Sequence, residues 1–271
     1  KKVLVGEMDQ DRFAGGNGTQ QFMNQALAAN PAYLLGLPYT GFAVGLVSPQ
    51  KWGQMTVVVR DPESRTTDTL GLDNLFAKGV IVQSEVRLKT NFFGLPGDQH
   101  IGGVWKGFDQ GNLNFLLSPP SDYPGTGGSS SRTLSQGYTV FYGFDQFVVK
   151  YSDDEERGWG LFGRASLSDG NPTPVRYFFS AGIGGDSPFK GWSRGDKFGL
   201  GWYYVGGSTE FSPVTQALFA PRNGTGVELF YKVQVTPWLD ISPDIQYIKP
   251  GLLSRIADEA YVFGVRVNVF L

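Results

Sequence analysis

A chain of 271 residues with net charge −2 has neither the basic face of a nucleic-acid binder nor the acidic tail of a disordered protein. Its lack of cysteine excludes disulfide frameworks, cysteine-ligated zinc and thiol catalysis. Charged residues make up only 18%, against the ~25% usual in soluble domains, and 38 glycines with 14% aromatics suit strands and tight turns.

No stretch approaches the ~18 apolar residues of a spanning helix, so a membrane-crossing form must be a closed sheet. The opening Lys1-Lys2-Val3-Leu4-Val5-Gly6 lacks an apolar core with a cleavage site, and a signal peptide is expected to be absent or already removed. In chain order, alternation of apolar and polar residues predicts twelve strands. They fall at 2–8, 42–48, 54–60, 80–92, 99–109, 136–151, 157–168, 174–184, 196–206, 226–236, 239–249 and 259–271. Between the first two, Thr19, Phe22, Met23, Ala26 and Leu27 have helical spacing, which predicts a short helix over 19–29 that stops before Pro31 and folds toward the lumen.

The faces are explicit. Val80, Val82, Val86, Leu88 and Phe92 oppose Gln83, Glu85, Arg87, Lys89 and Asn91. Val175, Tyr177, Phe179 and Ile183 form an apolar row, as do Phe198, Leu200, Trp202 and Tyr204. Val227, Leu229, Tyr231, Val233 and Val235 oppose Glu228, Lys232, Gln234 and Thr236, and Leu239, Ile241, Ile245 and Tyr247 oppose Asp240, Ser242, Asp244 and Gln246. In the last strand Tyr261, Phe263, Val265, Val267, Val269 and Leu271 oppose Arg266 and Asn268.

Strands of ~10 residues or more, with aromatics near their ends, match a bilayer-crossing barrel better than a soluble sandwich. The connections mostly alternate long and short, as extracellular loops and periplasmic turns do. Two break the rhythm: 169–173 is short and 185–195 long. The expected architecture is all-β: one antiparallel transmembrane β-barrel domain over 1–271, with loop 111–131 an exposed tip.

Several patches resemble the OprB-type carbohydrate-selective porins. The clearest runs from Glu228-Leu229-Phe230-Tyr231 through Thr236-Pro237-Trp238-Leu239 to Pro243-Asp244-Ile245-Gln246-Tyr247-Ile248 and Pro250-Gly251, then Phe263-Gly264-Val265-Arg266. Others are Val5-Gly6-Glu7-Met8-Asp9 leading to Gln21-Phe22-Met23-Asn24, and Arg194 to Asp196 leading to Gly199-Leu200-Gly201. The resemblance implies a sixteen-stranded barrel in full, so a chain with twelve is either shortened or lacks N-terminal strands.

The resemblance also implies an outer-membrane porin of a bacterial cell, through which small polar solutes, carbohydrates foremost, diffuse passively. It does no covalent chemistry and needs no cofactor or metal. The expected partners are sugars, outer-membrane lipid and lipopolysaccharide, and the barrel-assembly machinery; a homo-oligomer is allowed, and nucleic acid is not a partner. The candidate lumen residues are Gln83, Glu85, Arg87, Lys89, Arg164, Glu228, Lys232, Gln234, Asp240, Asp244, Gln246 and Arg266. Their donors and acceptors suit hydroxylated solutes, and facing rows of opposite charge would set a field across the pore. Buried polar groups are nonetheless paired as a rule, and structural pairing of each is the weightier expectation.

Other signals weigh less. His100, the only histidine, is placed at a strand start, where a lone general base without a positioned partner is a poor signal. Asp240 and Asp244 share a face and keep open the alternative of a soluble secreted all-β carbohydrate-binding protein or glycoside hydrolase. A third reading is a plugged barrel that conducts nothing. Asp153 to Glu156 reads as a solvated turn, Ala181 to Gly185 as a strand end, and Asn17-Gly18-Thr19 and Asn223-Gly224-Thr225 as turns.

Overall fold

The computed structural model describes all residues except 1, 5–7, 16–17, 36, 39, 64–73, 117–132, 152–156, 190–194, 220, 252–257 and 271. Its strands are β1 (Lys2–Leu4), β2 (Thr40–Gln50), β3 (Gly53–Arg60), β4 (Gly79–Phe92), β5 (Leu95–Phe108), β6 (Gln110–Gly111) and β7 (Thr133–Leu134). They continue with β8 (Gly137–Lys150), β9 (Gly158–Ser168), β10 (Val175–Asp186), β11 (Lys197–Gly207), β12 (Gly224–Thr236), β13 (Leu239–Lys249) and β14 (Ala260–Val269). Twelve of them form one antiparallel sheet in chain order, while β6 and β7 pair as a small ribbon at the base of the 109–136 connection. All twelve expected strands are present. The first is described over Lys2–Leu4, and residues 5–7 of its expected span lie outside the described residues.

Two-residue turns close the β2–β3, β4–β5 and β12–β13 hairpins; the Pro237-Trp238 turn has its expected bounds, while the expected connections 49–53 and 93–98 shorten to 51–52 and 93–94 as the strands extend. At the β4–β5 turn Phe93 and Gly94 both have positive φ (56° and 77°), which hairpin twist favours and a Phe side chain resists. Phe93 sits fully exposed at that tip, beside exposed Trp52, Trp238 and Phe270 at the same end of the sheet. Exposed Tyr138, Trp105 and Tyr261 lie toward the other end, so aromatic belts flank an aliphatic band of Val44, Leu46, Ile101, Val140, Leu161, Leu200, Ile245 and Val265. The 14-residue strands β4, β5 and β8 are each ~46 Å long, enough to cross a ~30 Å hydrocarbon core at ~45° tilt.

The alternation has one solvent inversion throughout. On β12 Leu229 is 50% exposed and its neighbour Glu228 0%. Val175 departs from the expected apolar row. A bulge between Val175 and Tyr177 exchanges the faces, so Val175 is buried on the inside while Phe179 points out. Replacing Leu229 by Arg puts a cation on the apolar face near mid-strand. Bilayer-refolded Leu229→Arg is expected to lose about 2–4 kcal/mol in urea titrations; an unchanged midpoint would contradict lipid contact there.

The sheet wraps around a segment of its own chain. Residues 8–38, between β1 and β2, touch the inner faces of β4, β5 and β8 through β14. Laid flat, those nine strands would span ~38 Å at ~4.8 Å per step. A compact segment reaches both flanks only if the sheet curls around it. Among the described residues β1 and β14 are not paired with each other.

The segment is less helical than its spacing suggests. Instead of one helix over 19–29, it holds α1 (Gln25–Ala28) and α2 (Pro31–Leu34). Asn24 caps the first through Ala26 N, and Asn30 caps the second through Ala32 N and Tyr33 N. Pro31 therefore opens a helix at its first turn rather than merely ending one.

At the long-loop end the connections brace one another. A further helix, α3 (Pro213–Phe219), docks through Ser212 N on the carbonyl of Leu113. Asn171, in the short β9–β10 connection, accepts from Leu113 N and donates to Asn112. The unexpectedly short connection is thus gripped by its longer neighbours. Asn223 accepts from Gly207 N, and Gly224 and Thr225 begin β12, so that stretch is a strand start rather than a turn. Ala181 to Gly185 lies within β10. Asn17, Asp153 to Glu156 and most of 111–131 fall outside the described residues.

Candidate functional site

The inner face of the sheet is built by the polar half of each alternating strand, and its chemistry is spent largely on holding segment 8–38. Glu228 of β12 accepts hydrogen bonds from the backbone N–H of Met23 (2.6 Å) and of Asn24 (2.8 Å). Beside it on β13, Gln246 accepts from Asn24 Nδ2 (3.1 Å) and donates to Asp244 (2.8 Å). Arg266 of β14 donates to the carbonyls of Gly18 (2.7 Å) and Gln21 (2.9 Å). Across the lumen Glu85 of β4 accepts from Asp9 N (2.8 Å), and Arg87 donates to the carbonyl of Gln10 (2.8 Å). Gln83 donates to the Tyr33 hydroxyl (2.7 Å) and accepts from Arg60.

The densest point is around Arg164 of β9, which is buried at the centre. Its guanidinium donates to the carbonyls of Leu27 (2.7 Å) and Ala14 (3.3 Å) and lies 2.5 Å from Asp11 and 3.9 Å from Asp9. The other side of Asp9 meets His100 Nε2 at 2.8 Å. Asp145 of β8 accepts from Arg12 N and Phe13 N. His100 therefore lies within β5 on the inner face, not at a strand start, and is buried as a partner of the inserted segment.

The remaining candidates are placed as follows. Lys232 pairs with Asp240 (3.0 Å) at the turn end of the wall. Gln234 is half-buried next to it, its backbone N–H donating to Asp196 (2.9 Å). Lys89 is exposed on the inner face near the β4–β5 turn. The expected facing rows of opposite charge resolve into local pairs: Lys232 with Asp240, Arg87 with Glu85, and Arg164 with Asp9 and Asp11. Asp240 and Asp244 are four residues apart on a strand, ~13 Å by strand rise, beyond the ~5–10 Å of a glycosidase pair. Each is also tied to its own neighbour, Lys232 or Gln246. The hydrolase alternative loses its site.

The inner face also holds an apolar core that the alternation concealed. Phe22 sits edge-on between Phe162 (5.5 Å) and Phe230 (5.0 Å), Phe13 packs on Phe147 (5.1 Å), and Tyr33 on Phe141 (5.3 Å). These wall aromatics occupy inward positions otherwise given to polar residues. Phe230, between Glu228 and Lys232, is the legible case. Facing them, β11 presents Gly199 and Gly201; a Cβ at Gly201 would lie 2.9 Å from Leu27 and 3.0 Å from Phe22. Part of the glycine content is thus seating for the inserted segment.

Cavities flank the inserted segment at both ends, two of them among the described residues being the following. One of about 390 Å³, mainly apolar, lies toward the long loops between α1–α2 and β11–β13, with Tyr203 and Val205 in its wall and Lys249 at its rim. The other, about 450 Å³ and polar, opens at the turn end between Arg12, Lys89, Asp98, Asp145, Phe147 and Lys150.

An antiparallel sheet with a lipid-type exterior, a charged interior and an infolded loop defines a porin-type β-barrel. The family assignment is equally direct: the chain belongs to the carbohydrate-selective porins of the OprB family, whose model matches residues 2–271. It is 29% identical over 154 residues to Porin B of Pseudomonas aeruginosa, a match covering 51% of this chain and 33% of that protein. The match therefore spans about a third of the curated relative's length. In fold it resembles the high-pH structure of Pseudomonas putida OprB, with a TM-score of 0.79 and 19% identity over 99% of this chain and 68% of that one.

Proposed function

We propose that this chain forms the wall and constriction of a bacterial outer-membrane porin through which small polar solutes, carbohydrates foremost, diffuse passively. The observation that carries this reading is the pairing of an apolar outer row with an inner row of carboxylates, amides and cations on the same strands. An interior so rich in donors and acceptors suits hydroxylated solutes passing around the inserted segment. The residues best placed to touch a solute are those with capacity beyond their anchoring bonds, Lys89 and the Asp244–Gln246 pair among them. On this reading the outer row contacts membrane lipid and lipopolysaccharide, assembly uses the barrel-insertion machinery, and homo-oligomers are compatible with the wall.

The family supports the reading, as does Porin B by its name. Purified protein in planar bilayers is expected to give discrete conductance steps. Proteoliposomes are expected to swell faster in pentoses and hexoses than in trisaccharides. Absence of both steps and swelling would leave the plugged, non-conducting barrel, which the tight packing of segment 8–38 favours as the second reading.

A further inference from the structure

The polar cavity at the turn end has a charge pattern that neutral sugars do not require. Resting on the porin reading above, we infer that this mouth of the lumen is a binding site for singly charged carboxylated sugars, uronates and aldonates. Three cations line it: Arg12 from the inserted segment, Lys89 from β4 and Lys150 from β8. Among the described residues no ion pair or hydrogen bond engages the side chains of Lys89, Asp98 or Lys150.

Two of the cations are placed by specific features. Arg12 lies over the Phe147 ring at 5.2 Å, a cation–π contact at the cavity wall that holds the guanidinium among the lining groups. Its backbone is held by Asp145, whose carboxylate is thereby occupied by Arg12 N and Phe13 N. Lys150 follows a register shift between Phe147 and Val149 that exchanges the faces of β8, and it accordingly lines the cavity rather than the outer surface.

Against the three cations stand two carboxylates, Asp98 and Asp145. The balance of one positive charge matches a monoanion better than a phosphate dianion. Asp98 is the group for sugar hydroxyls. The volume of about 450 Å³ lies in the range of small-ligand pockets, ~300–1,000 Å³.

The test is competition in proteoliposomes between glucuronate and glucose, with glucose 6-phosphate as the dianionic comparator. Wild type is expected to show a lower half-saturation for glucuronate than for glucose. The Lys89→Gln/Lys150→Gln variant should reduce that preference by about tenfold, since charge-assisted contacts are lost. Heat-modifiable gel mobility confirms that the variant is folded. An unchanged preference, or tighter binding of glucose 6-phosphate than of glucuronate, overturns the assignment. If the protein conducts nothing, the porin reading falls by itself, and titration of glucuronate into the detergent-solubilised protein still decides the site. Saturable binding that the variant weakens supports it, and no binding overturns it.

Discussion

Excising residues 9–36 and closing the gap with a short Gly-Ser turn is expected to raise single-channel conductance several-fold. The current through a water-filled barrel scales with its open cross-section, and this segment occupies the lumen between β4–β5 on one side and β12–β14 on the other. The excision is sterically simple, because Leu4 and Thr40, which flank the segment, are already paired across β1 and β2. Its anchors Glu228, Arg164, Arg266 and Glu85 then face water, which charged groups tolerate well. Phe22 and Leu27 leave Phe162 and Phe230 without their packing partners, so thermal stability falls as conductance rises. Conductance equal to that of the full chain would show that the segment does not limit the pore.

Arg164→Met is expected to have the largest effect of any single substitution on how firmly the segment is held. The side chain joins two backbone carbonyls and two carboxylates of segment 8–38, all buried. Removing one partner of a buried ion pair leaves uncompensated charge and costs about 3–5 kcal/mol. The expected signs are noisier open-channel current and protease cleavage within 8–38. Arg164→Lys restores a point charge but not the fork that reaches several acceptors, so it recovers only part of the effect.

The acid response of the Arg164→Met variant has a definite sign. Burial holds the Asp11 carboxyl well above its ordinary range; Arg164 opposes this, while Asp145 and Asp9 add to it. A carboxyl raised in the folded state contributes most below its unfolded pKa, and the contribution is lost as pH rises through the raised value. Without Arg164 the rise is larger. Acidification should therefore quiet the Arg164→Met current and slow its proteolysis. A variant that loosens further in acid would contradict this balance, which also involves His100, Glu85 and Arg87 around the same cluster.

Much of the wall was legible in the sequence, because each strand must serve two solvents and writes that in alternating residues. Strand β14, with Val265 outside and Arg266 inside, is the plainest instance. Where the pattern slipped, the cause is local. A bulge moved Val175 inward, and an extra backbone residue leaves no mark in composition. The inserted segment was harder to read. Its turns follow Asn24 and Asn30 caps and backbone bonds to Glu228 and Arg266, contacts separated by some two hundred positions. Asp9, Asp11, Asp145 and Arg60 escaped for the same reason, since a buried pair is recognised only when both halves are brought together. Asp9 and Asp11 close together in a long loop, and Phe230 within a polar row, were the available hints.

The most direct test of the account uses the absence of cysteine, which lets single spin labels be placed without background. Labels at Leu200, Leu229, Ile245 and Val265 in proteoliposomes should be relaxed strongly by oxygen, which concentrates among acyl chains, and weakly by a water-soluble nickel complex. Dominant relaxation by the nickel complex at these four positions would place the apolar rows in water and contradict the barrel.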